Sequence, residues 1–306
     1  MAPEISIIIA VYNDWVALGQ CLDSLRQQTD APPFEVIVVD DGSTDPTPES
    51  VRASNHGYPL TLVEQTHAGI PASRNRGVRA SRGNILLFVD ADGKLRVNCL
   101  SALSSTISQF PQHDCFQLRL TGDCSSLMGR AEELRLINFQ DHMLQPDGRI
   151  RYLNTAGFAI RRTRANIEIG IFDAIALRGE DTLLLASLME AGELPLFVPD
   201  AIVEHSIPLS FAAALRKDFR SAYLERRMYT TIAESGVKIH VTHRERLQLL
   251  SAMWKTAGRD SIGRSAWFAL VLRQGFKRIL SFGYRFLGRR FTKQSVVAQQ
   301  SRVRER

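Results

Sequence analysis

Hydrophobic residues fall into short unbroken runs separated by helical patterns. Ile5-Ser6-Ile7-Ile8-Ile9-Ala10-Val11 is nearly continuous and β-branched, the composition of a strand buried on both faces. Tyr12-Asn13-Asp14 breaks it. Leu18, Leu22 and Leu25 then recur at helical spacing, with Asp14 placed to cap that helix. After Pro32-Pro33, the run Glu35-Val36-Ile37-Val38-Val39 stops at Asp40-Asp41-Gly42-Ser43-Thr44-Asp45. Leu60 to Val63 predicts a third strand. Pro71 opens a helix that Gly83 ends, and Ile85-Leu86-Leu87-Phe88-Val89 predicts a fourth strand leading into Asp90-Ala91-Asp92. Strands alternating with helices imply parallel pairing through right-handed crossovers, an α/β sheet flanked by helices.

The pattern is sparser afterwards. Leu100, Leu103 and Ile107 suggest a helix, Cys115 to Leu120 a strand, and Asp123 to Gln145 a loop plus helix. Tyr152 to Arg161 is strand-like and precedes Ile169-Gly170-Ile171-Phe172-Asp173. Gly179-Glu180-Asp181-Thr182 opens an apolar helix that Gly192 ends. Helical readings resume at Phe211–Leu215, Arg216–Ala233 and Arg244–Trp254. From Trp267 onward, Phe268, Leu272, Phe276, Ile279, Gly283 and Phe286 share one helical face, with Arg273, Lys277, Arg278 and Arg285 away from its centre.

Charge divides the chain more sharply than its net +6 suggests. Residues 238–306 hold 16 Lys and Arg against Glu245, Asp260 and Glu305, a formal +13; the remaining 22 bases and 29 acids leave residues 1–237 at −7. A basic amphipathic stretch with aromatics, over 262–291, suits an anionic membrane surface. The alternative is a stripe packed on the body with its bases in water. No nucleic-acid motif accompanies the tail, so no nucleic-acid partner is expected. Hydrophobic content of 44% and charged content of 23% are those of a globular protein. The four cysteines (Cys21, Cys99, Cys115, Cys124) form no Cys-x-x-Cys pair, which fits a reducing cytosol rather than a disulfide framework or zinc site. Ile5 to Val11 is too short for a signal peptide, and no stretch of about 18 apolar residues predicts a membrane span. The expected location is cytoplasmic, with the inner membrane face as the surface within reach.

Candidate chemistry gathers at the strand ends, the edge where open α/β sheets bind ligands. Asp-x-Asp alone is common, and acids after a strand often only cap the next helix; two carboxylates so close otherwise call for a cation between them. Asp40 can accept hydrogen bonds from a base or ribose, whereas Asp41-Gly42-Ser43 also reads as turn chemistry. Glu180 and Asp181 equally suit the start of a helix dipole. Neither Gly-x-Gly-x-x-Gly nor a Gly-x-x-x-x-Gly-Lys-Ser/Thr loop occurs, which argues against dinucleotide and P-loop chemistry.

Four blocks stand in order: Ile5 to Asn13, Glu35 to Asp45, Ala72-Ser73-Arg74-Asn75-Arg76-Gly77, and Asp90-Ala91-Asp92. Together they resemble glycosyltransferase family 2, over roughly residues 4–210. The resemblance implies a GT-A, Rossmann-like domain over 1–210 and a helical, basic extension over 211–306. It implies an inverting transfer from a nucleotide-diphosphate sugar, UDP-linked as first choice, to an acceptor hydroxyl in polysaccharide or glycoconjugate synthesis. Ala10, Val11, Tyr12, Asp40 and Asp41 would hold the base and ribose, and Arg74, Asp90 and Ala91 would complete the donor site. Asp92, Asp90 and His205, in Val203-Glu204-His205, would hold Mn²⁺ or Mg²⁺. Asp181 would be the general base, with Glu180 orienting the acceptor or supporting it. Gly93 departs from the family, which often has a third acid there. Two rival readings remain, a sugar-phosphate nucleotidyltransferase and a non-catalytic nucleotide-binding relative. The first lacks its glycine-rich phosphate loop, and Asp90, Asp92, Glu180 and Asp181 together argue against the second.

Overall fold

The buried strands of the first half form where the apolar runs predict them. A computed structural model describes residues 2–52, 56–165, 170–173, 179–205, 211–212, 214–216, 241–259 and 262–279. The elements β1 (Ile5–Val11), α1 (Trp15–Arg26), β2 (Phe34–Asp40), α2 (Glu49–Arg52), β3 (Leu60–Glu64), α3 (Ile70–Ala80) and β4 (Ile85–Phe88) follow in order. β1 pairs in parallel with both β2 and β4, and β2 with β3. β1, β2 and β4 are covered on both faces, which is why their sequences do not alternate, whereas β3 is an edge strand with Thr61 and Glu64 exposed. Ile5, Ile7, Ile9 and Val11 join Leu18 and Leu22 of α1 on one face; Ile8, Ile37 and Val39 join Val78 of α3 on the other.

The second half contributes β5 (Gly93–Leu95), α4 (Cys99–Gln109), β6 (Cys115–Gly122), α5 (Leu127–Met143), β7 (Phe158–Arg161), α6 (Glu180–Glu190) and β8 (Leu196–His205). The eight strands form one sheet in the order β3-β2-β1-β4-β7-β6-β8-β5. β6 and β8 are parallel, while β7 runs antiparallel to β4 and β6, and β5 antiparallel to β8. The strand-like run from Tyr152 is shorter than its composition suggests. Thr155–Gly157 is a 3-10 turn, capped by the Asn154 side chain accepting from the Ala156 N–H. Buried Gln117 holds this stretch out of the ladder: its Oε1 accepts from the Asn154 N–H at 2.8 Å and its Nε2 donates to the Gly157 carbonyl at 2.9 Å.

The described helices of the basic extension pack on the body. Helices α7 (His243–Arg259) and α8 (residues 264–279) bury Leu249, Met253, Ala257, Ala266, Ala269 and Leu270 against Met128, Ala131 and Leu134 of α5. α7 starts with a capping box: Thr242 Oγ1 accepts from the Glu245 N–H, and Glu245 Oε2 from the Thr242 N–H. Trp267, just before the apolar stripe, packs inward and donates its indole N–H to the Leu250 carbonyl at 3.1 Å. The helical reading of 217–233 and the positions Gly283, Arg285 and Phe286 lie outside the described residues. Among the described residues no helix is long and apolar enough to cross a membrane.

Candidate active site

Parallel register brings the first two strand ends side by side, Val11 opposite Asp40. Val11 and Asp40 are buried, Ala10 is half-buried, and Tyr12 is exposed with its ring centroid 4.5 Å from that of His67. Asp40 Oδ1 accepts from the Ser43 N–H at 2.9 Å. Asn13, at φ +52, accepts from the N–H groups of Thr44 and Asp45 and donates its own N–H to Ser43 Oγ, so the loops after β1 and β2 are joined.

The neighbouring acid has a different job. Asp41 accepts from the N–H groups of Ala68 and Gly69 at 2.8 and 2.9 Å, from Gln65 Nε2 at 2.8 Å, and meets His67 Nδ1 at 2.9 Å. Burial alone would raise its pKa, but these bonds outweigh it and hold the carboxyl below its ordinary value. The Asp41 side chain is taken up by the loop that delivers α3, while the bond within the 40–43 turn is made by Asp40.

Arg74, on α3, ties the two halves together. It is buried, and its guanidinium donates to Asp90 Oδ1 at 2.7 Å and to Glu180 Oε1 at 2.6 Å. Burial opposes its charge, and the two carboxylates outweigh that opposition. Asn75 beside it accepts from the Ile171 and Phe172 N–H groups and donates to the Phe172 carbonyl. Gly170 makes this possible. Its φ is +103, and a Cβ there would stand 2.5 Å from the Asn75 side chain. The Ser-Arg-Asn block therefore grips the Gly-x-Phe-Asp segment and the start of α6 at once.

A tight turn follows β4, with the Gly93 N–H donating to the Asp90 carbonyl at 2.9 Å. β5 then pairs with β8 so that Gly93 faces His205. Asp92 Oδ1 and His205 Nε2 lie 3.4 Å apart. One ligand atom each from Asp90, Asp92 and His205 fall within 4.8 Å of one another, and buried Ala91 sits between the acids. Two carboxylates and one imidazole suit Mn²⁺, and Mg²⁺ through the oxygens. The departure at Gly93 has a steric reason: a Cβ there would stand 2.9 Å from Val89 Cγ1 and 3.2 Å from Val203 Cγ1.

Glu180 and Asp181 open α6, yet neither side chain caps it; the preceding residue is Gly179. Glu180 is bonded to Arg74 instead. Asp181 accepts from the Thr182 N–H at 2.7 Å, and its pKa is pushed up to about 6, chiefly by burial and next by Glu180. None of the buried thiols competes as a nucleophile: burial pushes Cys21 up, and Cys99 and Cys115 up to about 12.

One cluster escaped sequence reading. On α5, buried Glu132 pairs with Arg135 and lies 3.6 Å from Arg273 of α8. Its pKa falls to about 2: burial opposes the fall, and Arg135, then Arg273 and His205, outweigh it. The i, i+3 spacing of Glu132 and Arg135 was a visible signal, but the partner from α8 was not.

The strand-end acids gather on the edge where open α/β sheets bind ligands. Residues 6–170, over half of the chain, match the sequence profile described as "Glycosyl transferase family 2". The chain belongs to that family. Among curated relatives, the "Putative glycosyltransferase EpsH" of Bacillus subtilis is 37% identical over 94 residues, 29% of this chain and 26% of that protein. "Glycosyltransferase AglE" of Haloferax volcanii is 38% identical over 109 residues, 35% of this chain and 36% of that protein. The matched stretch thus spans a quarter to about a third of these two relatives. The fold is GT-A: the Pyrobaculum calidifontis mannosyltransferase PcManGT, solved with GDP-Man and Mn²⁺, superposes with a TM-score of 0.61 at 18% identity, covering 94% of this chain and 88% of that one. S. aureus TarS 1-349 with UDP superposes at 0.56 and 20% identity, covering 92% and 91%.

Proposed function

We propose that this glycosyltransferase carries out a metal-dependent, inverting transfer of a sugar from a nucleotide-diphosphate donor, UDP-linked as first choice, to an acceptor hydroxyl in cell-surface polysaccharide or glycoconjugate synthesis. The observation that carries it is Arg74, whose one guanidinium holds Asp90 of the candidate metal set and Glu180 beside the candidate base. Donor and acceptor chemistry are thereby set in one rigid frame.

Asp40, Tyr12 and the neighbouring backbone of Ala10 and Val11 receive the base and ribose. Asp90, Asp92 and His205 would hold Mn²⁺ or Mg²⁺, which neutralises charge on the departing nucleoside diphosphate when bound. Asp181 accepts the acceptor hydroxyl's proton as that oxygen bonds to the anomeric carbon from the face opposite the leaving group. The bond from that carbon to the diphosphate oxygen breaks, and its electron pair leaves with the diphosphate. A carboxyl with its pKa raised to about 6 is a competent base near neutral pH.

The test is release of UDP or GDP from a panel of nucleotide sugars with and without Mn²⁺, by wild type and Asp181→Asn. Release by wild type alone, dependent on metal, supports the reading. Transfer by Asp181→Asn at the wild-type rate removes Asp181 as the base, and release that ignores chelators removes the metal.

A further inference from the structure

Helix α8 has two faces of opposite character. Ala266, Ala269, Leu270 and Arg273 are buried toward α5 and α7. Phe268, Leu272, Phe276 and Ile279 form a stripe on the other side, spaced at i, i+4, i+8 and i+11, with Leu272 67% and Ile279 72% exposed. Trp254 of α7 continues it, its ring edge-on to Phe268 at 5.9 Å, and Leu247 stands two turns before Trp254 on the same helix face. The buried face already packs α8 on α5 and α7, so Phe268, Leu272, Phe276 and Ile279 are not needed to hold the described helices in place. A contiguous exposed apolar stripe of this kind marks an interaction surface.

The charge beside the stripe has one sign. Residues 264–279 contain Arg264, Arg273, Lys277 and Arg278 and no acid. Arg264 lies over the Trp254 ring at 4.8 Å, and Arg278 is exposed. Long basic side chains at the border of an apolar, aromatic strip can reach headgroups while the strip enters the acyl boundary. A second copy of the chain fits poorly, because a self-contact through this face would set two +13 tails against each other. Nucleic acid would match the charge and leave the aliphatic stripe in water.

We propose that the α7–α8 face seats on an anionic phospholipid bilayer surface, with Phe268, Leu272, Phe276 and Ile279 entering the interface and Arg264 and Arg278 engaging headgroup phosphates. Because the opposite side of α8 is packed on α5, this contact orients the whole catalytic body rather than tethering it loosely.

The test is co-sedimentation of the full chain with phosphatidylcholine vesicles, with and without phosphatidylglycerol, across a salt series. Wild type sediments with the anionic vesicles and is released by salt. Phe268→Ser/Leu272→Ser lowers partitioning by more than about tenfold, and Arg264→Gln/Arg278→Gln lowers it by about thirtyfold at low salt and flattens the salt dependence. Both variants melt like wild type and release nucleoside diphosphate from free donor at its rate, so failure here is distinct from failure of the transferase reading. Partitioning indifferent to phosphatidylglycerol overturns the proposal, as does wild-type binding by the apolar double variant. Light scattering that finds a wild-type dimer lost in that variant overturns it in favour of a second copy.

Discussion

Glu35, at the amino end of the parallel strands, and the candidate-site acids beyond their carboxyl ends are used in opposite ways, and donor-enclosed Asp41 sides with Glu35. At the amino end, Glu35 is buried at 2% side-chain exposure and accepts from Ser6 Oγ, the Arg82 N–H and the Arg82 guanidinium at 2.6–3.0 Å. Burial would raise its pKa; the hydroxyl and Arg82 outweigh it and lower it. At the carboxyl end, Asp90 and Asp92 are 35% and 27% exposed, gathered with His205, while Asp181 is pushed up to about 6. A carboxylate enclosed by donors holds a fold together. Carboxylates set against one another hold a charge that a ligand can relieve.

The sharpest way to break this contrast is Asp181→Asn, expected to cut turnover about 10²–10⁴-fold while nucleotide affinity stays near wild type. The same variant should melt at least as high as wild type at pH 7, since it removes a carboxyl that burial disfavours when charged. Glu35→Gln is the mirror image. It should cost about 2 kcal/mol of stability in denaturant titration, with donor affinity unchanged at temperatures where the protein is folded. Asp92→Asn should leave stability within about 1 kcal/mol yet weaken Mn²⁺-dependent nucleotide binding more than about tenfold by calorimetry. Glu64→Gln, in an exposed pair with Arg52, should move stability by less than about 0.5 kcal/mol.

pH separates the two ends by sign. The Glu35 pKa is lowered by folding, so its contribution is present above the unfolded value of about 4.3 and is lost as pH falls toward the folded one. Asp181 is raised by folding, so its contribution is present below about 3.9 and is lost as pH rises through about 6. Stability measured from about pH 2.5 to 7 on wild type, Glu35→Gln and Asp181→Asn should show the Glu35 contribution below about pH 4.3 and the Asp181 contribution between about pH 3.9 and 6, with slopes of opposite sign. Turnover should rise through about pH 6 and level off above it, as a base requires. A flat turnover profile would remove Asp181 from the proton transfer.

Local pattern alone determined β1 to β4, the burial of β1, β2 and β4 on both faces, and the placing of Asp40 and Asp90 at one edge, because strand polarity follows from the crossover connections. The Asp-x-Asp and Glu-Asp pairs were visible as candidates and ambiguous as caps, since propensity is the same for either use. Tertiary structure alone decided which partner each of these side chains meets. Arg74 took Glu180 away from capping, the 65–69 loop took Asp41 away from the edge, and antiparallel β5–β8 pairing carried His205 to Asp92 across more than a hundred residues of chain. It also turned Trp267 inward and left Phe268, Leu272, Phe276 and Ile279 outside. Helical periodicity lists the residues that share a stripe, but which side of a helix is buried depends on the surface it meets.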